Sequence, residues 1–300
     1  MKKKREHSRR KMSGQELGYQ IVINGIMALV LLACVVPFLY VVGMSLSSKG
    51  EMIDRNFFIL FPRKPILEAY TYVMRNSGFW HGLLVTVLRT ALGVSASLVF
   101  PVILGYILSK KDIPFRKPMM LYLLITMLLG GGLIPGYLLM RDLHLLNSFW
   151  VYVIPAFGNI YGILVVKMFV EELPLDLLES AELDGASEMQ KLVYIAMPLL
   201  KPTLCALGLF SAVGQWNDWF SALIYVRNPE LFPVQLIIRN LFNQSIVPDP
   251  TKMNTSYYAT FTPESVKMAS VVLAVLPILG VYPFLQKYFI YGMYTGAVKG

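Results

Sequence analysis

Charge is scarce in this chain. Asp, Glu, Lys and Arg make up 15% of its 300 residues, 56% are hydrophobic, and the mean hydropathy is +0.57. A soluble domain of this length needs far more charge to cover its surface, so the composition points to a membrane protein. Cysteine and histidine are sparse as well. Cys34 and Cys205 both fall inside apolar runs, where they read as small buried packing residues rather than a disulfide or metal ligands. His7, His81 and His144 are scattered without ligand spacing, so no metal site is expected. There is no G-x-x-x-x-G-K-[ST] phosphate loop: GGGLIPG, at 130–136, lacks the lysine and lies in an apolar stretch. No nucleophile, base and acid stand out as a set. No enzyme activity and no resident cofactor are therefore expected, and any nucleotide chemistry is expected from a partner.

Long apolar runs are what the chain has. A bilayer core takes about 20 apolar residues per helix, and six segments reach that length, at about 19–46, 82–108, 119–140, 146–170, 202–226 and 268–291. The first has a basic start, but its run is too long for a signal peptide and no small-x-small cleavage pattern follows promptly, so it reads as a retained span. The net charge of +9 is concentrated at the start, with seven Lys and Arg among the first eleven residues, MKKKREHSRRK. Such a cluster reads as a cytoplasmic flank drawn to anionic headgroups rather than a nucleic-acid surface. The Lys/Arg asymmetry between loops places both termini in the cytoplasm, with SKKDIPFRKP also inside. The expected organisation is a basic tail over 1–18, a six-span domain over 19–291, a cytoplasmic insert at 171–201 and a cytoplasmic tail over 292–300.

Several spans are interrupted, by Pro37, Pro101, Pro135, Pro155, Pro277 and Pro283 and by Gly130-Gly131-Gly132. These are ordinary kinks or flexible helices around a path, and composition does not separate the two. Gln215, Trp216, Asn217, Asp218 and Trp219 bring amides, a carboxylate and two indoles into five residues of the fifth span. Those are the groups that bind sugars, and polar groups within a membrane usually face the bundle interior; the alternative is helix-to-helix packing and bonding. Tyr137, Asn159 and Tyr161 are further candidates for lining a path. Arg89 either snorkels outward or pairs with a carboxylate, Asp218 being the available one.

One polar piece breaks the pattern, EELPLDLLESAELDGASEMQKLVYIAMPLLKP at 171–202. Pro174 suits the first turn of a helix, with Asp176 and Glu179 at the positive end of its dipole. Gly185 can end that helix, and a second helical piece is expected from Ala186 to about Ala196, stopping at Pro198. Glu179, Ala181, Gly185, Ile195 and Pro198 then have the spacing of the EAA loop of ABC importer permeases, with Ser180 for the middle alanine and Met197 for a leucine. Leu133 to Pro155, QWNDWFSALIY, FPVQLIIRNLF and QKYFIYGMYTGAVKG likewise resemble the maltose-type carbohydrate uptake permeases, over roughly residues 20 to 300. The ending and outer loops are most similar to the oligo- and polysaccharide branch of Gram-positive bacteria.

The resemblance implies an all-α membrane protein with six transmembrane helices, a type I ABC importer permease fold with a cytoplasmic coupling helix. It implies a subunit in a bacterial cell membrane, pairing with a homologous second permease, two cytoplasmic ATPases that hold ATP and Mg, and an extracellular solute-binding lipoprotein that delivers carbohydrate. The ATPase-coupling residues carried over are Glu179, Ser180, Ala181, Asp184, Gly185, Ala186, Ile195 and Pro198, and Gly296 to Gly300 would also reach the ATPase. Three other readings stay open here: an ABC permease for a non-sugar solute, an ion-coupled secondary transporter, and a membrane scaffold that carries nothing. The ion-coupled reading requires charged pairs in several spans, and only Arg89 and Asp218 qualify.

Overall fold

The computed structural model describes residues 14–75, 77–243 and 260–297. Most of the expected basic tail, part of the second outer loop and the last three residues lie outside them. All regular structure among the described residues is helical. Among the described residues five helical stretches are long and apolar enough to cross a membrane, and a bent pair adds a sixth if its arms count as one span.

The chain forms two compact units. The first comprises residues 1–71 and 248–272. Its long helix α1, Gly14–Ser45, begins before Tyr19 and carries Pro37 within it. The short α2, Lys49–Asp54, is capped by the Ser48 hydroxyl, which accepts from the Glu51 amide at 3.3 Å. Met44, Met52 and Ile59 form a buried cluster here, with Tyr40 and Met268 packed on it. Cys34 is exposed on α1, not buried as its apolar surroundings suggested. α3, Glu68–Arg75, follows.

The second unit comprises residues 72–247 and 273–300. At its centre is α4, Ser77–Ser109, which continues through Pro101. α5, Arg116–Leu128, and α6, Leu133–Asp142, meet at 113°. The continuous span expected over 119–140 is therefore two helices. Its break falls at the glycine triplet, where Gly132 takes φ +81, a region open to glycine. The span expected over 146–170 is present as one stretch, Phe149–Glu171, but is α-helical only in its second half. Two 3₁₀ turns, Phe149–Tyr152 and Ile154–Gly158, precede α7, Ile160–Glu171, whose first turn is capped by the Asn159 side chain accepting from the Gly162 amide at 3.0 Å.

Beyond α7 come α8, Leu175–Leu183, and α9, Glu188–Gln190. A π-helical turn, Lys191–Ala196, joins α9 to α10, Met197–Asn217. The expected stop at Pro198 does not occur. Proline there lacks the N–H that an α-ladder would demand, and the ladder shifts to wider spacing in the turn before it. The span expected over 202–226 ends early instead, because Asp218 is extended (ψ 106) before α11, Phe220–Tyr225. Its carboxylate Oδ1 accepts from the Phe220 and Ser221 amides at 2.9 and 3.0 Å, which starts the next helix. α12, Val234–Asn243, and α13, Pro263–Ala297, complete the chain, α13 beginning in the first unit.

Glycine sets the closest helix contacts. A Cβ at Gly105 of α4 would stand 2.8 Å from the Val166 Cβ and 3.0 Å from the Ile163 carbonyl oxygen of α7. Small residues bring membrane helices into such backbone contact. Val102, Tyr106, Val166, Val170, Leu192, Ala196, Leu200 and Leu207 form the core of this contact. Cys205 is half-buried in α10 and, like Cys34, a free thiol.

Candidate functional site

The polar insert folds as a braced helix–turn–helix. α8 ends in a left-handed glycine: Gly185 has φ +81, the Ala186 amide donates to the Ala181 carbonyl at 2.9 Å, and the Gly185 amide donates to the Glu182 carbonyl at 3.0 Å. This pair of bonds is a Schellman closure. A capping box then starts the second limb. The Ser187 hydroxyl accepts from the Gln190 amide at 3.4 Å, and the Gln190 side chain accepts from the Ser187 amide at 2.7 Å.

The two limbs are joined by charge. Lys191 has only 4% of its side chain exposed, and its ammonium lies 2.9 Å from Glu182 Oε2 and 2.7 Å from Glu188 Oε1. Glu188 reaches α4 as well, where its Oε2 accepts from Tyr106 Oη at 2.9 Å and pairs with Lys110. At the insert's entry, Glu171 bridges Lys167 at 2.7 Å and pairs with Arg116.

Of the residues singled out in the insert, Glu179, Ser180, Asp184 and Gly185 are exposed, and Ala181 and Ala186 half-buried. Ile195 is half-buried in the π turn and Pro198 exposed in the first turn of α10. The Ser180 hydroxyl is turned back on Asp176, donating to its carbonyl at 2.6 Å. Beside them stand large apolar side chains, Leu183 at 90% and Tyr194 at 75% exposed. Sequence reasoning passed over Glu182, Glu188 and Lys191. The one available signal was a lysine heading the apolar run KLVYIAM, three residues after a glutamate.

The second cluster lies between α4 and the end of α10. Arg89, 1% exposed, donates from Nη2 to Asp218 Oδ2 at 2.6 Å and to Gln215 Oε1 at 3.1 Å. Its Nη1 donates to the Asp218 carbonyl at 2.8 Å, and its guanidinium lies 4.2 Å from the Tyr152 ring centroid. Of the two fates open to Arg89, it takes the carboxylate. Gly93 makes room for this, since a Cβ there would stand 2.6 Å from Gln215 Nε2.

Next to the ion pair is a cavity of about 400 Å³. It is bordered by α4, by the broken approach to α7 and by α10. Gln215, Asp218, Asn159 and Tyr161 all line it. The other four candidates for a path do not. Trp216 is buried and donates from Nε1 to the Ala274 carbonyl at 3.3 Å. The Asn217 amide donates to the Val213 carbonyl of its own helix at 2.9 Å. Trp219 lies under the Arg239 guanidinium at 4.1 Å, and Tyr137 stacks on Tyr225 at 6.2 Å between centroids. Ser97, Phe210 and Ser211 line the cavity without having been singled out.

Residues 66–293 match the family described as binding-protein-dependent transport system inner membrane component. Protein LplC of Bacillus subtilis (strain 168) is 38% identical over 268 residues, 89% of this chain and 90% of that protein. The polygalacturonan/rhamnogalacturonan transport system permease protein YtcP of the same organism is 33% identical over 285 residues, 94% of this chain and 98% of that protein. Among solved structures, one chain of a bacterial ABC transporter involved in the import of the acidic polysaccharide alginate superposes with a TM-score of 0.85 at 29% identity, covering 93% of this chain and 99% of that one.

Proposed function

The chain belongs to the family of binding-protein-dependent transport system inner membrane components, and from that premise we propose that it is one permease of an ATP-driven carbohydrate importer. It is an all-α, multi-pass membrane protein with the type I ABC importer permease fold, and a transport subunit rather than an enzyme. Carbohydrate as cargo is supported by relatives of nearly full length, one of which is by name a polygalacturonan/rhamnogalacturonan transport system permease. A homologous second permease and two ATPases complete the machine, and an extracellular binding protein delivers the sugar. The membrane is the bacterial cytoplasmic membrane, with both termini and the insert in the cytoplasm.

One observation carries the mechanism: the insert is exposed on its Glu179–Gly185 side and tied by charge to α4 on the other. An exposed carboxylate, a turn free of side chain and the apolar Leu183 and Tyr194 make a surface for a soluble ATPase. Movement of that ATPase then reaches α4 through Glu188 and reaches α10 through the π turn, tilting the helices that flank the cavity. Binding at the two sites is coupled in both directions, so ATP binding to the ATPases changes the affinity for the sugar-loaded binding protein, and docking of that protein changes the affinity for ATP by the same factor. Gln215, Asp218, Asn159 and Tyr161 belong to the sugar's path in this reading, and Trp216, Asn217, Trp219 and Tyr137 to its scaffold.

The test is reconstitution of both permeases, the ATPases and the binding protein in proteoliposomes. ATP-dependent uptake of an oligosaccharide is expected, together with loss of ATPase co-purification in Glu179→Lys. Uptake that ignores ATP but collapses with an ionophore would sink the proposal.

A further inference from the structure

The cavity beside the Arg89–Asp218 pair differs from a general sugar site in its electrostatics. Apart from Asp218, its polar side chains are hydroxyls and amides. The Ser97 and Ser211 hydroxyls are 2.8 Å apart, Asn159 Nδ2 donates to the Ser97 carbonyl at 3.1 Å, and Gln215 Nε2 donates to the Tyr152 carbonyl at 3.3 Å. Each of these groups has donor or acceptor capacity left over, which is what a sugar hydroxyl needs. Tyr161 and Phe210, on the walls from α7 and α10, are 56% and 65% exposed, so their ring faces are free to lie against C–H surfaces.

Among the described residues no Lys, Arg or His lines the cavity, and Asp218 is its single carboxylate. Arg89 bonds to the lining from behind, but its side chain is 2% exposed and its donors already serve Asp218, Gln215 and Ser221. A hydroxyl entering the cavity meets partners. A carboxylate entering it loses water, finds no free counter-ion and approaches an existing anion.

We propose that this cavity is a subsite for an uncharged sugar unit, and that this chain's wall of the path disfavours uronates. The inference rests on the reading of the chain as a carbohydrate permease and adds a charge class to it. The sugar presents hydroxyls to Asn159, Ser211 and Gln215 and a ring face to Tyr161 or Phe210, while Arg89 holds Gln215 and Asp218 in place from behind.

The test uses the complete importer in proteoliposomes, with Cys34 and Cys205 replaced by serine and a single reporter, Ser211→Cys. The rate at which a small maleimide alkylates the reporter is measured with neutral trisaccharides of glucose, galactose, xylose or arabinose, and with trigalacturonate. At least one neutral trisaccharide is expected to slow labelling, at a concentration about tenfold or more below that at which trigalacturonate does. Ala156→Cys, on the 3₁₀ segment before α7, repeats the measurement if the first variant does not assemble. Protection by trigalacturonate equal to that by every neutral sugar would overturn the proposal, as would no protection in a complex that transports sugar. If the unsubstituted complex shows no ATP-driven sugar uptake at all, the permease reading beneath it fails instead.

Discussion

The Lys191 ammonium lies 2.7 Å from Glu188 with its own side chain 4% exposed, while the glutamate is 56% exposed. The pair is therefore unequal: the cation has lost its water and the anion has kept much of it. Glu182, the second partner, is more exposed still at 72%. The insert is held by a buried positive charge that only its acidic neighbours make tolerable.

That asymmetry orders two sets of variants. Lys191→Met removes the buried charge, and both glutamates can rehydrate, so the cost is expected at about 1 kcal/mol or less. The double variant Glu182→Gln/Glu188→Gln leaves the ammonium buried without a counter-charge, with an expected loss of about 3 kcal/mol. Thermal unfolding of the purified permease complex measures both. The double variant is also expected to raise the ATP hydrolysed per sugar carried, because it removes the Glu188 carboxylate that pairs with Lys110 and accepts from Tyr106, whereas Lys191→Met leaves that tie in place. Equal losses in the two variants would show that burial of Lys191 is not what matters.

Gly185 supplies a backbone test of the same insert. No atom stands within 4 Å of where its Cβ would be, so substitution there meets no clash and strains only the φ of +81. Gly185→Ala is expected to cost about 1 kcal/mol, and a β-branched residue more. Gly185→Asn should be the mildest, since asparagine visits the left-handed region readily. Co-purification of the ATPases should follow the order Gly, Asn, Ala, Val; an order set by side-chain size alone would point to steric contact instead.

Which parts of this architecture were readable from residues alone follows from what hydropathy measures. Apolar run length located the membrane segments, and the glycine and proline spacings located the insert with its turn at Gly185. Hydropathy does not register where a helix axis turns. The 119–140 run is apolar throughout, yet Gly132 bends it. Asp218 reads as a polar residue within a span, whereas its carboxylate ends one helix and starts the next. Lys191 reads as a solvated charge because its burial depends on Glu182 and on the packing of Leu192 and Ala196 into the α4–α7 core. Gly105 gives no local signal, since its reason for being glycine lies on another helix.

The α4–α7 contact at Gly105 has two obstacles to a larger residue, one removable and one not. Gly105→Ala drives a methyl against the Val166 side chain at 2.8 Å and the Ile163 carbonyl oxygen at 3.0 Å. Overpacking of this kind costs about 1–3 kcal/mol. Pairing it with Val166→Gly removes the first obstacle, the Val166 Cβ included, and leaves the backbone in place. A double-mutant cycle on the unfolding temperature should therefore show partial recovery. Full recovery would mean the helices can part from the carbonyl without loss.

Arginine is present twice in this region in different settings, and the same substitution separates them. Arg89 is 1% exposed and forks to Gln215, to the Asp218 carboxylate and to the Asp218 carbonyl, over the Tyr152 ring. A lysine keeps the charge but cannot reproduce a planar fork, and it leaves at least one of those acceptors buried without its donor. Arg89→Lys is expected to cost about 2–3 kcal/mol. Arg239 lies over the Trp219 ring at 4.1 Å and is only half-buried. Lysine can occupy such a position as a cation, so Arg239→Lys is expected to cost about 0.5 kcal/mol. The unfolding temperatures of the two variants, measured side by side in the assembled complex, should differ accordingly. If Arg89→Lys proved as mild as Arg239→Lys, the ion pair would be a bystander, and Asp218 would be held by the Phe220 and Ser221 amides and the Ser221 hydroxyl.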